Sequence, residues 1–309
     1  MKKKSTVPFR AGFIAVVGKP NVGKSTLVNA IVGKKVAITS PKPQTTRQRI
    51  LGVKTTENLQ MIFVDTPGLT VPKHLLGKSM VKHSQEALVD CDVCLFMVQA
   101  THRKPMEQDW WALKVLQQGL KHRDPAPPIF LVMNKVDQVK DKGDLLPTIE
   151  TYSKLASWTE IFPISALKKE NLEPLVEAMK ARMPENPPFY GKEDEEIVDE
   201  NFQISEIIRE KILYCIQEEV PHGVAIAVEE KRLGKDKKTF YVRATIYVER
   251  EAHKAILVGK DGGMLKKIGM MARKDLSRLK NQPVFLDLWV KVKENWQDRP
   301  ELLTLFGYS

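Results

Sequence analysis

The chain is predicted to be α/β, with a doubly wound, mainly parallel sheet in its first half and a smaller α+β module after residue 200. Three observations carry this. Short apolar runs alternate with helical patterns from residue 12 to about 183, the mark of parallel strands joined by crossover helices. The polar signals cluster at the ends of those runs, where ligands sit in open α/β sheets. A region with helix, strand, strand, helix, glycine turn, helix and strand patterning then fills 202–292. The expected boundaries are 1–183 for the first domain, 184–200 for a linker and 201–309 for the second domain.

A length of 309 residues suits two domains with cores of their own. Hydrophobic residues at 42% and charged residues at 28% are ordinary for a globular protein. A net charge of +11 and a pI near 9.4 favour polyanionic partners. Three cysteines do not make a disulfide framework. Cys91 and Cys94 open an apolar run with no second pair and no nearby histidine, so they read as core thiols. No apolar stretch reaches the 18 residues of a membrane span. The basic start MKKK leads into FIAVV and GKPNVGKS, not into a secretory signal.

The first run, FIAVV (13–17), is followed directly by GKPNVGKST (18–26), which fits G-x-x-x-x-G-K-[ST]. Gly18, Pro20, Asn21, Val22 and Gly23 form a turn whose backbone N–H groups can face phosphate oxygens, and the helix after it adds its positive end. Lys24 would reach the β- and γ-phosphates, Ser25 would ligate Mg2+, and Thr26 at the helix start completes the nucleotide-binding stretch. The second run, MIFVD (61–65), delivers one carboxylate, Asp65, suited to holding the same magnesium. VCLFMV (93–98) is the third run. IFLVMN (129–134) ends in NKVD, where Asp137 can accept from the N1–H and 2-amino group of guanine, a pair of donors that adenine lacks. Asn134 can meet the base edge or tie loops together, and the stem of Lys135 can cover a base face. After IFPIS (161–165), Ser165, Ala166 and Leu167 can present the Ala166 amide to guanine O6 or serve as a plain helix cap.

Residues 184–200 turn proline-rich and then acidic, with six carboxylates between 193 and 200, as a linker or loosely docked segment would. Beyond it, VGKDGGMLKKIG (258–269) sets Gly259, Lys260, Asp261 and Gly262 between two helical patterns. A GxxG loop of this kind clamps single-stranded nucleotides in KH domains. Between 231 and 280 stand fifteen Lys or Arg against five Asp or Glu. Lys260, Lys266, Lys267, Arg273 and Lys274 are candidate phosphate contacts.

In this order GKPNVGKS, TT, DTPG, NKVD and SAL resemble the five G motifs of the translation-factor-related GTPases, and with the GxxG module the whole chain resembles the Era family of bacterial GTPases. The resemblance implies a P-loop GTPase domain followed by a type II KH domain, with GTP, GDP and Mg2+ as ligands. It implies binding to the 3′ end of 16S rRNA and a role in assembly of the 30S ribosomal subunit, in the cytoplasm and at the inner face of the cell membrane. Thr46, with Thr45 as the alternative, would close on magnesium, and Gly68 would donate its N–H to the γ-phosphate. Ras-like enzymes place a water-orienting glutamine after that glycine; here the position, expected to be exposed after the turn, is Leu69, so unaided hydrolysis should be slow. Thr70, His74, Arg47 and Arg49 are other polar candidates, and Asn21 is the residue through which related GTPases use K+; the alternative for Asn21 is a loop brace. Asp261 departs from the neutral or basic residue a phosphate-facing loop would favour. A metabolic enzyme driven by GTP lacks any second catalytic constellation, and a lipid-binding role for helix 263–280 competes with a core role for its apolar face.

Overall fold

In the computed structural model, residues 8–40, 42–191, 199–216, 220–236 and 238–308 are described. They form two compact units, the first from 8–39, 46–72 and 80–191, the second from 40–45, 73–79 and 199 onward.

The first unit centres on a six-stranded sheet: β1 (Arg10–Gly18), β2 (Ile50–Thr55), β3 (Leu59–Asp65), β4 (Val93–Gln99), β5 (Ile129–Asn134) and β6 (Glu160–Pro163). Their order across the sheet is β2-β3-β1-β4-β5-β6. The β2–β3 pairing is antiparallel; the other pairings run parallel, with helices α1 (Lys24–Val32), α2 (Leu75–Val89), α3 (Glu107–Leu120) and α4 (Leu145–Ser153) in the connections and α5 (Leu172–Arg182) after the last strand. The runs are continuously apolar because both sheet faces are covered. Ile14 and Val16 belong to one core cluster with Leu27, Val28 and Leu175, while Ala15 and Val17 belong to another with Leu88, Leu113 and Leu116. Burying each of the valine, leucine and isoleucine side chains among them contributes about 1.5–3 kcal/mol. Cys91 and Cys94 are free thiols of the second cluster, as their setting implied.

Strand β2 has no counterpart among the apolar runs. Its ILGVKT sequence mixes polar and apolar residues because it is an edge strand, paired on one side only. The first part of the expected linker also differs from a free tether: the Ala11 amide donates to Pro184 O (3.2 Å), and the amides of Phe189 and Tyr190 donate to Gln60 Oε1 (2.8 and 3.0 Å). The Phe189 ring lies 5.0 Å from Phe13, so prolines here shape a packed strap on the first unit. The acidic stretch 192–198 lies outside the described residues.

The second unit holds a three-stranded sheet, β7 (Ala225–Leu233), β8 (Phe240–Val248) and β9 (Val284–Val292), in that order, with β7–β8 antiparallel and β8–β9 parallel. A parallel neighbour requires a crossover, supplied here by α7 (Glu251–Val258) and α8 (Gly263–Lys280). These helices and α6 (Glu200–Cys215) bring Ile204, Ile208, Leu257, Ile268 and Leu276 onto Val242, Ala244 and Ile246. A short α9 (Pro300–Leu305) lies near the end of the chain. Among the described residues no helix is long and apolar enough to cross a membrane.

Candidate functional site

In the sheet order, β1 stands between β3 and β4, so the carboxyl end of β1 is the point where the winding reverses. The glycine-rich turn begins there. Gly18 has φ 154° and no room for a side chain, since a Cβ would stand 2.4 Å from Met97 O. Gly23 is left-handed (φ 100°), and its Cβ would meet Asn134 Nδ2 at 2.2 Å. Asn21 is left-handed as well (φ 62°). Helix α1 starts at Lys24 with no side-chain cap and no acidic residue in its first turn, leaving its amides to an anion. Val22 is fully buried in the core, so only its backbone can face a ligand. Thr26 is half-buried on α1.

Each part of the turn is anchored by a different element. The Leu69 amide donates to Gly18 O (3.0 Å), Gln99 Nε2 to Asn21 O (3.0 Å), and Asn134 Nδ2 to Val22 O (2.7 Å). Lys19 Nζ donates to Asp109 Oδ2 (2.7 Å). Gln99, Asp109 and Lys19 stand outside the residues that sequence reasoning points to. A buried cation and a carboxylate far apart in the chain leave no local pattern to find.

Lys24 is buried and donates to Gly18 O (3.1 Å) and Lys19 O (3.0 Å). Burial lowers its pKa to about 8, against the opposing pull of Asp65. Asp65 is wholly buried; burial raises its pKa to about 6, with Lys24, Ser25 and Thr46 opposing. Its Oδ2 accepts from Ser25 Oγ (2.6 Å) and Thr46 Oγ1 (3.4 Å), and the two hydroxyls are 3.0 Å apart. Asp65 Oδ1 is buried without a hydrogen-bond partner among the described residues. One carboxylate, with an orphaned oxygen of its own, and two hydroxyls make an all-oxygen set that fits a small hard cation. Of the two threonines it is Thr46 that joins this set; Thr45 Oγ1 donates instead to Lys42 O (2.6 Å).

Past Asp65, the Thr66 hydroxyl donates to Val16 O (2.7 Å), pinning the chain beside β1. Gly68 then passes so close to the turn that a Cβ would lie 2.7 Å from Pro20 Cα. Leu69, expected to be exposed, is 1% exposed and packs in the core with Val64 and Leu88. Its side chain is committed to that cluster and carries no polar group. Arg47 is also buried, while Arg49 is half-exposed near Glu86 (4.0 Å).

At the far end of the cleft, Asn134 works as a brace. Its Oδ1 accepts from the Ala166 amide (2.9 Å) while its Nδ2 holds the phosphate turn. The Ala166 N–H, expected to face guanine O6, is therefore engaged by Asn134. Ser165 Oγ donates to Asp137 Oδ1 (2.6 Å), aiming that carboxylate, and accepts from the Lys168 amide (3.1 Å). Lys135 is left-handed (φ 70°), and burial followed by the Lys19 charge lowers its pKa. Leu167 is 70% exposed, free to flank a ligand.

In the second unit, Gly259 (φ 71°), Asp261 (φ 51°) and Gly262 (φ 73°) turn the chain tightly into α8, whose N-cap is Gly262. A Cβ on Gly259 would stand 2.7 Å from Met264 Cβ, whereas nothing lies within 4 Å of the Cβ position of Gly262. Asp261 occupies a left-handed position that aspartate tolerates better than most residues, which explains an acid in this loop. A groove of about 470 Å³ follows, walled by Gly262, Leu265, Lys266, Arg273, Leu286 and Leu288 among others. Lys260 is exposed at the loop. Lys267 does not line the groove; it lies on another flank of α8, close enough for its charge to oppose the rise that burial imposes on the Cys215 pKa.

Residues 13–135 match the model of the 50S ribosome-binding GTPase family, and residues 219–297 match the KH domain family. A GTPase Era of Clostridium botulinum (strain Hall) is 42% identical over 303 residues, covering 97% of this chain and 99% of the relative. A crystal structure of Era with MgGDPNP and nucleotides 1506–1542 of 16S ribosomal RNA superposes with a TM-score of 0.90 at 40% identity, covering 97% of this chain and 99% of that one. A single-residue variant of Aquifex aeolicus Era bound to GDP·AlF4− gives 0.89 at 40% identity, covering 97% and 100%.

Proposed function

Because this chain belongs to the GTPase Era family, we propose that it binds and slowly hydrolyses GTP and binds the 3′ end of 16S rRNA through its KH module, in the assembly of the small ribosomal subunit. The observation that carries the nucleotide half is the convergence of Ser25, Thr46 and the orphaned Asp65 oxygen beneath an uncapped helix start. Magnesium, when bound, would neutralise developing phosphate charge there. Ser25, Thr46 and Asp65 are the residues that would hold it.

The chain's own groups do the rest. Amides of 18–26 and the Lys24 ammonium receive the phosphates, and Asp137, aimed by Ser165, takes the two guanine donors. Asn134 links the base end to the phosphate end, so that occupancy of one orders the other. Gly68 brings a backbone N–H beside the phosphate turn. With Leu69 buried, that position supplies no side chain to orient water, which suits a timed switch better than a turnover enzyme. Asn21, at its left-handed position in the turn, is the residue through which potassium would act.

The RNA half rests on the open Gly262, the groove and the cations Lys266 and Arg273 along one wall. Both ligands belong to the cytoplasm; peripheral contact with the inner membrane face is a further part of the reading. GTP turnover measured with and without RNA from the 16S 3′ end, in potassium and in sodium, tests it. Stimulation by RNA is expected, and none under any condition would leave the two halves unconnected.

A further inference from the structure

The phosphate turn is held partly by a charge from outside the nucleotide motifs. The Lys19 side chain, 3% exposed, points into the first unit, and its Nζ lies 2.7 Å from Oδ2 of Asp109, which is 1% exposed. That same oxygen accepts the Met106 amide at the start of α3 (2.9 Å), and His102 Nδ1 is 3.2 Å from the ammonium. The Asp109 carboxylate also stands close enough to the Tyr152 hydroxyl that, after burial, it helps raise the pKa of that tyrosine. A buried ion pair is a poor source of net stability, because desolvation offsets the attraction. Its value lies in fixing one arrangement. The Lys19 carbonyl is one of two that accept from Lys24 Nζ (3.0 Å), so whatever fixes residue 19 also aims the phosphate-binding amine. The anchors from Leu69, Gln99 and Asn134 are neutral hydrogen bonds to backbone carbonyls. Asp109 acts instead on a charged side chain of the turn.

We propose that Asp109 is a positioning residue for nucleotide binding: through Lys19 it holds the phosphate turn, and with it the Lys24 amine, in the receiving arrangement before nucleotide arrives. The inference rests on residues 18–26 being the phosphate site. Preorganisation of this kind lowers the cost of binding without touching the ligand.

The test is titration of the full chain with a fluorescent GDP, alongside thermal melting without nucleotide, for wild type, Lys24→Ala, Asp109→Asn, Lys19→Met, Lys19→Arg and the Lys19→Met/Asp109→Asn pair. Asp109→Asn and Lys19→Met should each weaken binding about tenfold or more. The double variant should be no weaker than the worse single one, because both act along one path. Lys19→Arg should regain most of what Lys19→Met loses, and it does so without altering Asp109 should that residue prove necessary for folding. Binding within twofold of wild type for Asp109→Asn and Lys19→Met, whatever their melting points, would overturn the inference alone. Wild type and Lys24→Ala binding equally would instead overturn the phosphate-site reading beneath it.

Discussion

The Ser165 hydroxyl donates to Asp137 Oδ1 across 2.6 Å, so the carboxylate expected to read guanine is aimed by a residue 28 positions away. Asp137→Asn turns one acceptor into a donor and should move the preference from GTP to xanthosine triphosphate. Ser165→Ala leaves the charge but frees its direction, and should weaken GTP about tenfold with the preference retained. Competition binding with GTP, ATP and xanthosine triphosphate checks both.

At Gly68 any side chain meets backbone. An alanine Cβ would stand 2.7 Å from Pro20 Cα, and a proline backbone cannot move aside cheaply. Gly68→Ala is expected to lower GTP turnover at least tenfold while GDP still binds, as single-turnover kinetics and GDP titration would show.

Leu69→Gln should not create a Ras-like catalyst. The side chain sits in the core, so the amide would be buried without partners and cost about 2–4 kcal/mol of stability. Hydrolysis should not rise; denaturant unfolding and a phosphate-release assay measure the two effects.

Groove geometry separates two adjacent lysines. Lys266→Ala and Gly262→Asp should weaken RNA binding about tenfold at matched salt, and Lys267→Ala much less, with GTP affinity the same throughout. Filter binding across a salt series would show it.

Burial raises the Cys91 pKa to about 11 and that of Cys94 well above the ordinary value. The fold therefore favours their thiol forms: this contribution is complete below the ordinary thiol value near 9 and is lost as pH rises from there through 11. At pH 8 a thiol reagent should label half-buried Cys215 first, and Cys91 and Cys94 only upon unfolding.

Much of this was legible in the sequence, for a physical reason. Strands covered on both faces must be apolar throughout, so FIAVV, MIFVD and VCLFMV announced themselves, and a phosphate turn needs glycines where Gly18 and Gly23 stand. The edge strand ILGVKT is paired on one side only and lacked that signature. Pairings across the fold escaped too. Leu69 looked exposed because it follows a turn, yet its amide closes on Gly18 O and its side chain enters the core. The brace made by Asn134 was one of two readings the sequence left open, and only the positions of Val22 and Ala166 decide between them.

The most direct measurement is calorimetric titration of the purified chain with GTP and with ATP in magnesium. A carboxylate that can be satisfied by guanine alone should give a preference of roughly 10⁴-fold or more for GTP. Affinities for the two nucleotides within tenfold of each other would contradict it.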